Sequence, residues 1–175
     1  MKNPLLVVSL VVLLCFSLSC KVQAEQGITE ENAKVLTGGV LKIFNEGNMA
    51  LIAEVFAPEV VVHSSTFPQD LVGHEGIKNW VEFSRMTFPD LNMTFDETIV
   101  KGNKIVTIWT LTGTNTGPMS MPSGTVPPSG KKVHITGISV SNVQNGKIVK
   151  EIVVYNVLEM MMQMGFTLSP PQAGK

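Results

Sequence analysis

Two periodicities divide this chain, and their order restricts the class of fold open to it. Between Thr29 and Phe88 most apolar residues recur at helical spacing, whereas from Leu91 to Asn156 they gather into four strand-like runs. Thr29-Glu30-Glu31-Asn32 has the composition of a capped helix start, and Ala33, Leu36, Val40, Leu41 and Phe44 follow on one face before Glu46-Gly47-Asn48 ends the pattern. A second, short helix is expected from Met49 to Phe56, stopped by Pro58. Glu59 to His63 then has the β-branched character of a strand. Gly73-His74-Glu75-Gly76 opens a third helix with Ile77, Trp80, Val81, Ser84 and Phe88 on one face, closed at Phe88-Pro89-Asp90. The strand-like runs are Leu91–Val100, Lys104–Thr116, Lys132–Gln144 and Lys147–Asn156, with turns at Gly102-Asn103 and Asn145-Gly146. Helices first and an antiparallel sheet afterwards is the α+β order: three N-terminal helices packed on one face of a curved, mostly antiparallel sheet.

Residues 117–131 break the rhythm with four prolines, three glycines and four hydroxyl residues, and are expected to form a long loop. Loops of that length in a compact domain often cover or bind something. Val157 to Phe166 is a short helix candidate rich in methionine, at residues 160, 161, 162 and 164.

The first 24 residues have a separate meaning. A basic start, a run of about a dozen apolar residues from Leu5 to Phe16 and the small-residue end at Ala24 make a secretory leader, too short to span a bilayer of roughly 20 residues' depth. The expected organisation is a signal peptide over 1–24, one domain over 25–166 and a flexible tail over 167–175. The protein is expected to be exported, periplasmic or secreted, with no stable membrane insertion; Cys20 is a weaker candidate for lipid attachment. Both cysteines, Cys15 and Cys20, lie in the leader, which leaves the domain no thiol for a disulfide, a zinc site or a nucleophile. Losing the leader removes Lys2 and Lys21 from the 13 basic residues and none of the 14 acidic ones, for a formal charge of −3. That charge does not suit nucleic acid. Asp70, Glu75 and Asp90 lack metal-ligand spacing, so neither a metal nor any other cofactor is expected.

Several strings, in this order, carry a resemblance. They are Val62-His63, Gly73-His74-Glu75-Gly76, Phe88-Pro89-Asp90-Leu91, Gly102-Asn103-Lys104-Ile105-Val106 with Trp109, and Gly113-Thr114-Asn115-Thr116-Gly117. Pro128 to Val133, Asn145-Gly146-Lys147-Ile148 and Gln163-Met164-Gly165 continue the series. Together they resemble the SnoaL-like polyketide cyclase and ester cyclase family of the nuclear-transport-factor-2-like superfamily. The resemblance implies a cone-shaped α+β barrel with a deep hydrophobic pocket, often a homodimer through the open face of its sheet. It also implies an acidic residue near the end of the last strand that works as a base in an intramolecular aldol closure.

Here that position, nine residues before Gly165, is Asn156, and an amide cannot serve as a general base. The tryptophan and histidine usual in the family are likewise replaced, by Val153 and Asn115. His134 and His63 are then the catalytic candidates, because imidazole titrates near neutral pH. Asn156, Trp109, Asn115, His63 and His134 are the candidate ligand-binding residues. Strand parity adds a rule: Glu151 and Asn156 point to opposite faces, as do Tyr155 and Asn156, so a pocket lined by Asn156 excludes the other two. The functional expectation is a pocket for a small, mainly apolar carbonyl compound, with cyclisation, isomerisation or hydrolysis as its chemistry. The alternative is a non-catalytic binding protein for a hydrophobic metabolite.

Overall fold

The computed structural model describes residues 27–121 and 124–169. The leader with Cys15 and Cys20, and the end of the tail, lie outside the described residues.

Helix α1 (Glu30–Glu46) begins where the Thr29 side chain accepts a hydrogen bond from the Asn32 N–H at 3.1 Å, and Glu30 and Glu31 complement its positive end. Gly47 ends it in the left-handed conformation, φ 71°. Its buried stripe is Ala33, Leu36, Val40, Ile43 and Phe44. A 3-10 turn (Met49–Leu51) and the single-turn helix α2 (Ile52–Val55) follow. The long helix α3 (Gly73–Thr87) buries Ile77 and Val81 against strand β1 (Phe56–Ser64).

After α3 come β3 (Asn92–Lys101), β4 (Lys104–Thr114), a small hairpin of β5 (Met119–Met121) and β6 (Gly124–Val126), β7 (Lys132–Gln144) and β8 (Lys147–Tyr155). Helix α4 (Val157–Gln163) closes the described fold. With the two-residue edge strand β2 (Leu71–Val72), the main sheet runs β2-β1-β8-β7-β4-β3. Among the described residues only the β1–β8 pair is parallel. Among the described residues, four helices on one large, mostly antiparallel sheet make the expected α+β cone.

Two local expectations change. The second helix ends at Val55, and β1 begins at once, before Pro58. Proline has no N–H to give a neighbouring strand, and the β1–β8 register shifts between Phe56 and Val61, the stretch that contains it. The loop 117–131 is not wholly irregular, since it holds the β5–β6 hairpin. Its base is tied by Asn115, whose amide donates to the Thr87 and Gly117 carbonyls and accepts from the Ser129 N–H.

Strand β7 sets the two faces of the sheet. Val133, Ile135, Gly137, Ser139 and Ser141 point into the concave side beneath α1 and α3, whereas His134, Thr136 and Ile138 point outward.

Candidate functional site

Between the concave face and the helices lies an enclosed apolar cavity of about 80 Å³. That is about half of the ~150 Å³ that holds a benzene ring, so a compact organic molecule enters only as flexible side chains of the wall give way. Val40 and Phe44 of α1 and Trp80 and Phe83 of α3 form its roof. The Phe44 and Trp80 rings meet edge to face, 5.0 Å between centroids. Met119 from the hairpin and Met160 from α4 close its sides, supplying flexible thioether walls.

The floor comes from β4, β7 and β8, and it carries the polar groups. Glu151 is 7% exposed. It sits directly across from Ser141, whose hydroxyl donates to Glu151 Oε1 at 3.0 Å. Among the described residues it has no basic partner. Burial therefore dominates and pushes its pKa up from 4.5 to about 7, with the Ser141 hydrogen bond opposing. Carboxylate and acid are then both populated near neutral pH.

One register row along, Trp109 donates from Nε1 to Ser139 Oγ at 3.0 Å. Its indole lies over Gly137, where a Cβ would come within 2.2 Å of the ring. Only glycine leaves that space. The Trp109 ring then meets Tyr155 edge-on at 5.7 Å. The Tyr155 hydroxyl pairs at 2.5 Å with Oγ1 of Thr66, in the turn after β1, and burial holds its pKa above the usual value despite that bond. Phe67, next in the turn, packs against Trp80 and Phe83 and so fixes Thr66 over the cavity.

The residues expected from the sequence fall differently. His63 lies on the outer face with its side chain 62% exposed, 2.8 Å from an Asp70 carboxylate oxygen. His134 also faces outward, and its backbone N–H and C=O are bound by the Gln163 side chain at 2.7 and 3.0 Å. With β8 between their strands, the two histidines neither meet nor reach the cavity. The structure thus places neither catalytic candidate at this cavity. Asn115 spends its amide on the loop clamp and does not line the cavity either. Trp109 does line it.

Asn156 is the N-cap of α4, exposed, its side chain accepting from the Glu159 N–H at 3.0 Å. Asp and Asn cap about equally well. An amide at this position thus leaves the cavity's chemistry untouched. Parity holds with the opposite outcome: Glu151, Val153 and Tyr155 share the inner face, and Asn156 is past the strand's end. Asn156→Asp is accordingly expected to leave turnover unchanged, whereas Asn156→Ala should cost about 1 kcal/mol in a denaturant titration. A gain of activity in the aspartate variant would mean that this position acts on the cavity's chemistry.

The family model for SnoaL-like polyketide cyclases matches residues 34–164. The chain belongs to this family. Among solved structures the SnoaL-like chain is similar to TsrD from Streptomyces laurentii, at 23% identity and TM-score 0.69 over 79% of this chain and 98% of that one. It is also similar to IdmH from Streptomyces antibioticus, at 24% identity and TM-score 0.63 over 76% and 98%. A protein with a ketosteroid isomerase-like fold from Catenulispora acidiphila, in complex with trimethylamine, matches at 12% identity and TM-score 0.63 over 77% and 97%. At these identities the likeness concerns the fold. No curated protein matches this SnoaL-like chain in sequence. Among the described residues no group of three His, Cys, Asp or Glu side chains is placed to hold a metal ion, and no helix is long and apolar enough to cross a membrane.

Proposed function

We propose that this SnoaL-like domain is an enzyme for a small, mainly apolar carbonyl compound, with Glu151 as the general base that removes a proton α to the carbonyl. The observation that carries this is the buried carboxylate in a mainly apolar cavity, its pKa pushed up to about 7 by burial. The enolate so formed either closes on a second carbonyl or is reprotonated at another carbon, giving cyclisation or isomerisation. Ester hydrolysis would use the same base on a water.

The test uses 2-tetralone, a compact ketone with acidic α-protons, in deuterium oxide. The wild type should accelerate α-proton exchange, followed by NMR, and Glu151→Gln should lose that acceleration. Binding of the ketone with no exchange by the wild type would instead favour a carrier of hydrophobic metabolites. Of the two supports for that second reading, export and a lost base at Asn156, the capping role of Asn156 removes the latter.

Export and self-association complete the proposal. The leader supports the first. The second is supported by an apolar row on the outer face, where Ile138 and Val154 are direct cross-strand partners 47% and 55% exposed and Val140 pairs with Ile152 beside them. The signatures are a mature chain starting at Glu25 by mass spectrometry and a dimer in sedimentation. A full-length monomer would contradict both.

A further inference from the structure

Ser84 and Thr87 of the cavity wall give their hydroxyl protons to the Trp80 and Phe83 carbonyls, but the hydroxyls on the sheet side do not use up theirs. Ser64 Oγ donates to Thr66 Oγ1 at 3.2 Å, and Thr66 Oγ1 shares a second hydrogen bond with the Tyr155 hydroxyl at 2.5 Å. Ser64 is itself held by the Thr66 N–H at 3.3 Å. Three hydroxyls thus bring three protons to two bonds between them. If Thr66 donates to Tyr155, the phenol proton is left over; if Tyr155 donates, the threonine proton is. In either direction the spare proton lies on a residue that lines the cavity.

Ser139 repeats the pattern independently. Its oxygen accepts from Trp109 Nε1, and among the described residues its own proton has no acceptor, although the residue is only 6% exposed. Cross-strand register places Ser139 opposite Val153, between the Gly137–Tyr155 pair and the Ser141–Glu151 pair. The floor therefore presents, in order, an acceptor at Glu151, a donor at Ser139 and a donor at the Tyr155–Thr66 pair. Burial also keeps the phenol protonated, so it remains a donor as pH rises. A buried donor without an acceptor is costly, and a ligand oxygen relieves that cost.

We propose that Ser139 and the Tyr155–Thr66 pair form an oxygen-binding subsite that holds the ligand's carbonyl and stabilises the enolate made from it. This rests on Glu151 being the base. In the step, the α-proton passes to the Glu151 carboxylate, the C–H electron pair becomes the carbon–carbon double bond, and the carbonyl π pair moves onto oxygen. Negative charge thereby travels from Glu151 to an atom facing two hydroxyl donors, the arrangement that lowers a barrier of this kind.

The test compares 2-tetralone with tetralin, a hydrocarbon of nearly the same shape without the oxygen, by calorimetric binding to the full chain. In the Tyr155→Phe/Thr66→Val variant, 2-tetralone should bind about tenfold more weakly with tetralin unchanged, the second value showing that the cavity is intact. In the wild type the C=O stretch of bound, carbonyl-labelled 2-tetralone should lie below its position in hydrocarbon solvent, and Ser139→Ala should move it part of the way back. Glu151→Gln should keep the lowered stretch while losing exchange, which separates the subsite from the base. The proposal is overturned by an unshifted stretch in the wild type, a measurement that needs no variant. Unchanged 2-tetralone affinity in the double variant, or no binding of 2-tetralone at all, would overturn it equally. Exchange that survives Glu151→Gln would sink the base and leave a lowered stretch standing as evidence for the subsite.

Discussion

In deuterium oxide at neutral pH, Glu151→Gln is expected to slow the exchange of 2-tetralone α-protons by about 10²–10⁴-fold, the range typical for loss of a positioned general base. The substitution is close to isosteric, and the glutamine carbonyl can still accept from Ser141, whose hydroxyl now donates to Glu151 Oε1. Cavity shape and hydrogen bonding persist while basicity is lost. The pH dependence is equally specific. Only the carboxylate abstracts a proton, so the wild-type rate should rise about tenfold per pH unit below 7, bend near 7 and level off above it. A surface carboxylate would give a bend more than two units lower. A wild-type rate that is flat from pH 5 to 9, or one unaffected by the glutamine, would rule Glu151 out as the base.

The helices of this molecule are legible in its sequence, and the surroundings of Glu151 are much less so. Local periodicity carried the helices: Ala33, Leu36, Val40 and Phe44 do form the buried stripe of α1, and Gly73 and Phe88 do bound α3. Turn residues and prolines carried less. Pro58 looked like the end of a helix, but the helix had already ended at Val55 and the chain runs through the proline as a strand. The prolines and glycines of 117–131 hid the short β5–β6 hairpin. The site was the hardest part, because alternation gives two faces without saying which is inside. In the middle of β7 the inner residues are Gly137, Ser139 and Ser141, while Ile138 and Val140 face outward. Hydrophobicity alone therefore assigns the phase backwards there.

The inversion has a physical cause. Gly137 is small because the Trp109 indole occupies the space above it, and Ser139 and Ser141 are polar because Trp109 and Glu151 need partners in a buried place. The same inversion makes His134 look like an inner residue, although it alternates with Thr136 and Ile138 on the outer side. Asn156 misled for a different reason. Its spacing from Gly165 matched that of the family's acid, but the last strand stops at Tyr155, and the next residue is committed to starting α4. Distance along a chain does not reveal that the backbone has changed direction. The sequence did offer one usable signal, the last strand's only carboxylate set two and four residues from Val153 and Tyr155 on a single face.

The buried carboxylate should also weaken the fold as pH rises, and removing it should abolish that decline. Glu151 has a folded pKa of about 7 against 4.5 when unconstrained. Between those values the folded state holds a proton that the unfolded chain has released, so folding stability falls with increasing pH. The contribution is intact below about 4.5, declines through the interval and is fully lost above about 7. Its size is about 3 kcal/mol at pH 8 relative to pH 4, an order-of-magnitude figure for a group this buried. Most buried carboxylates held by cations behave in the opposite way, since their pKa is lowered; here Ser141 alone opposes desolvation. Glutamine carries no charge to desolvate at any of these pH values. Glu151→Gln should therefore match the wild type near pH 4.5 and melt about 6–12 °C higher at pH 8, at roughly 2–4 °C per kcal/mol for a domain of this size. The stabilised variant would be the inactive one, which is the relation expected when an active site is held together at the expense of the fold. Equal melting temperatures at pH 8, or a variant less stable there, would mean that Glu151 is solvated or paired in solution and would remove the basis for its raised pKa.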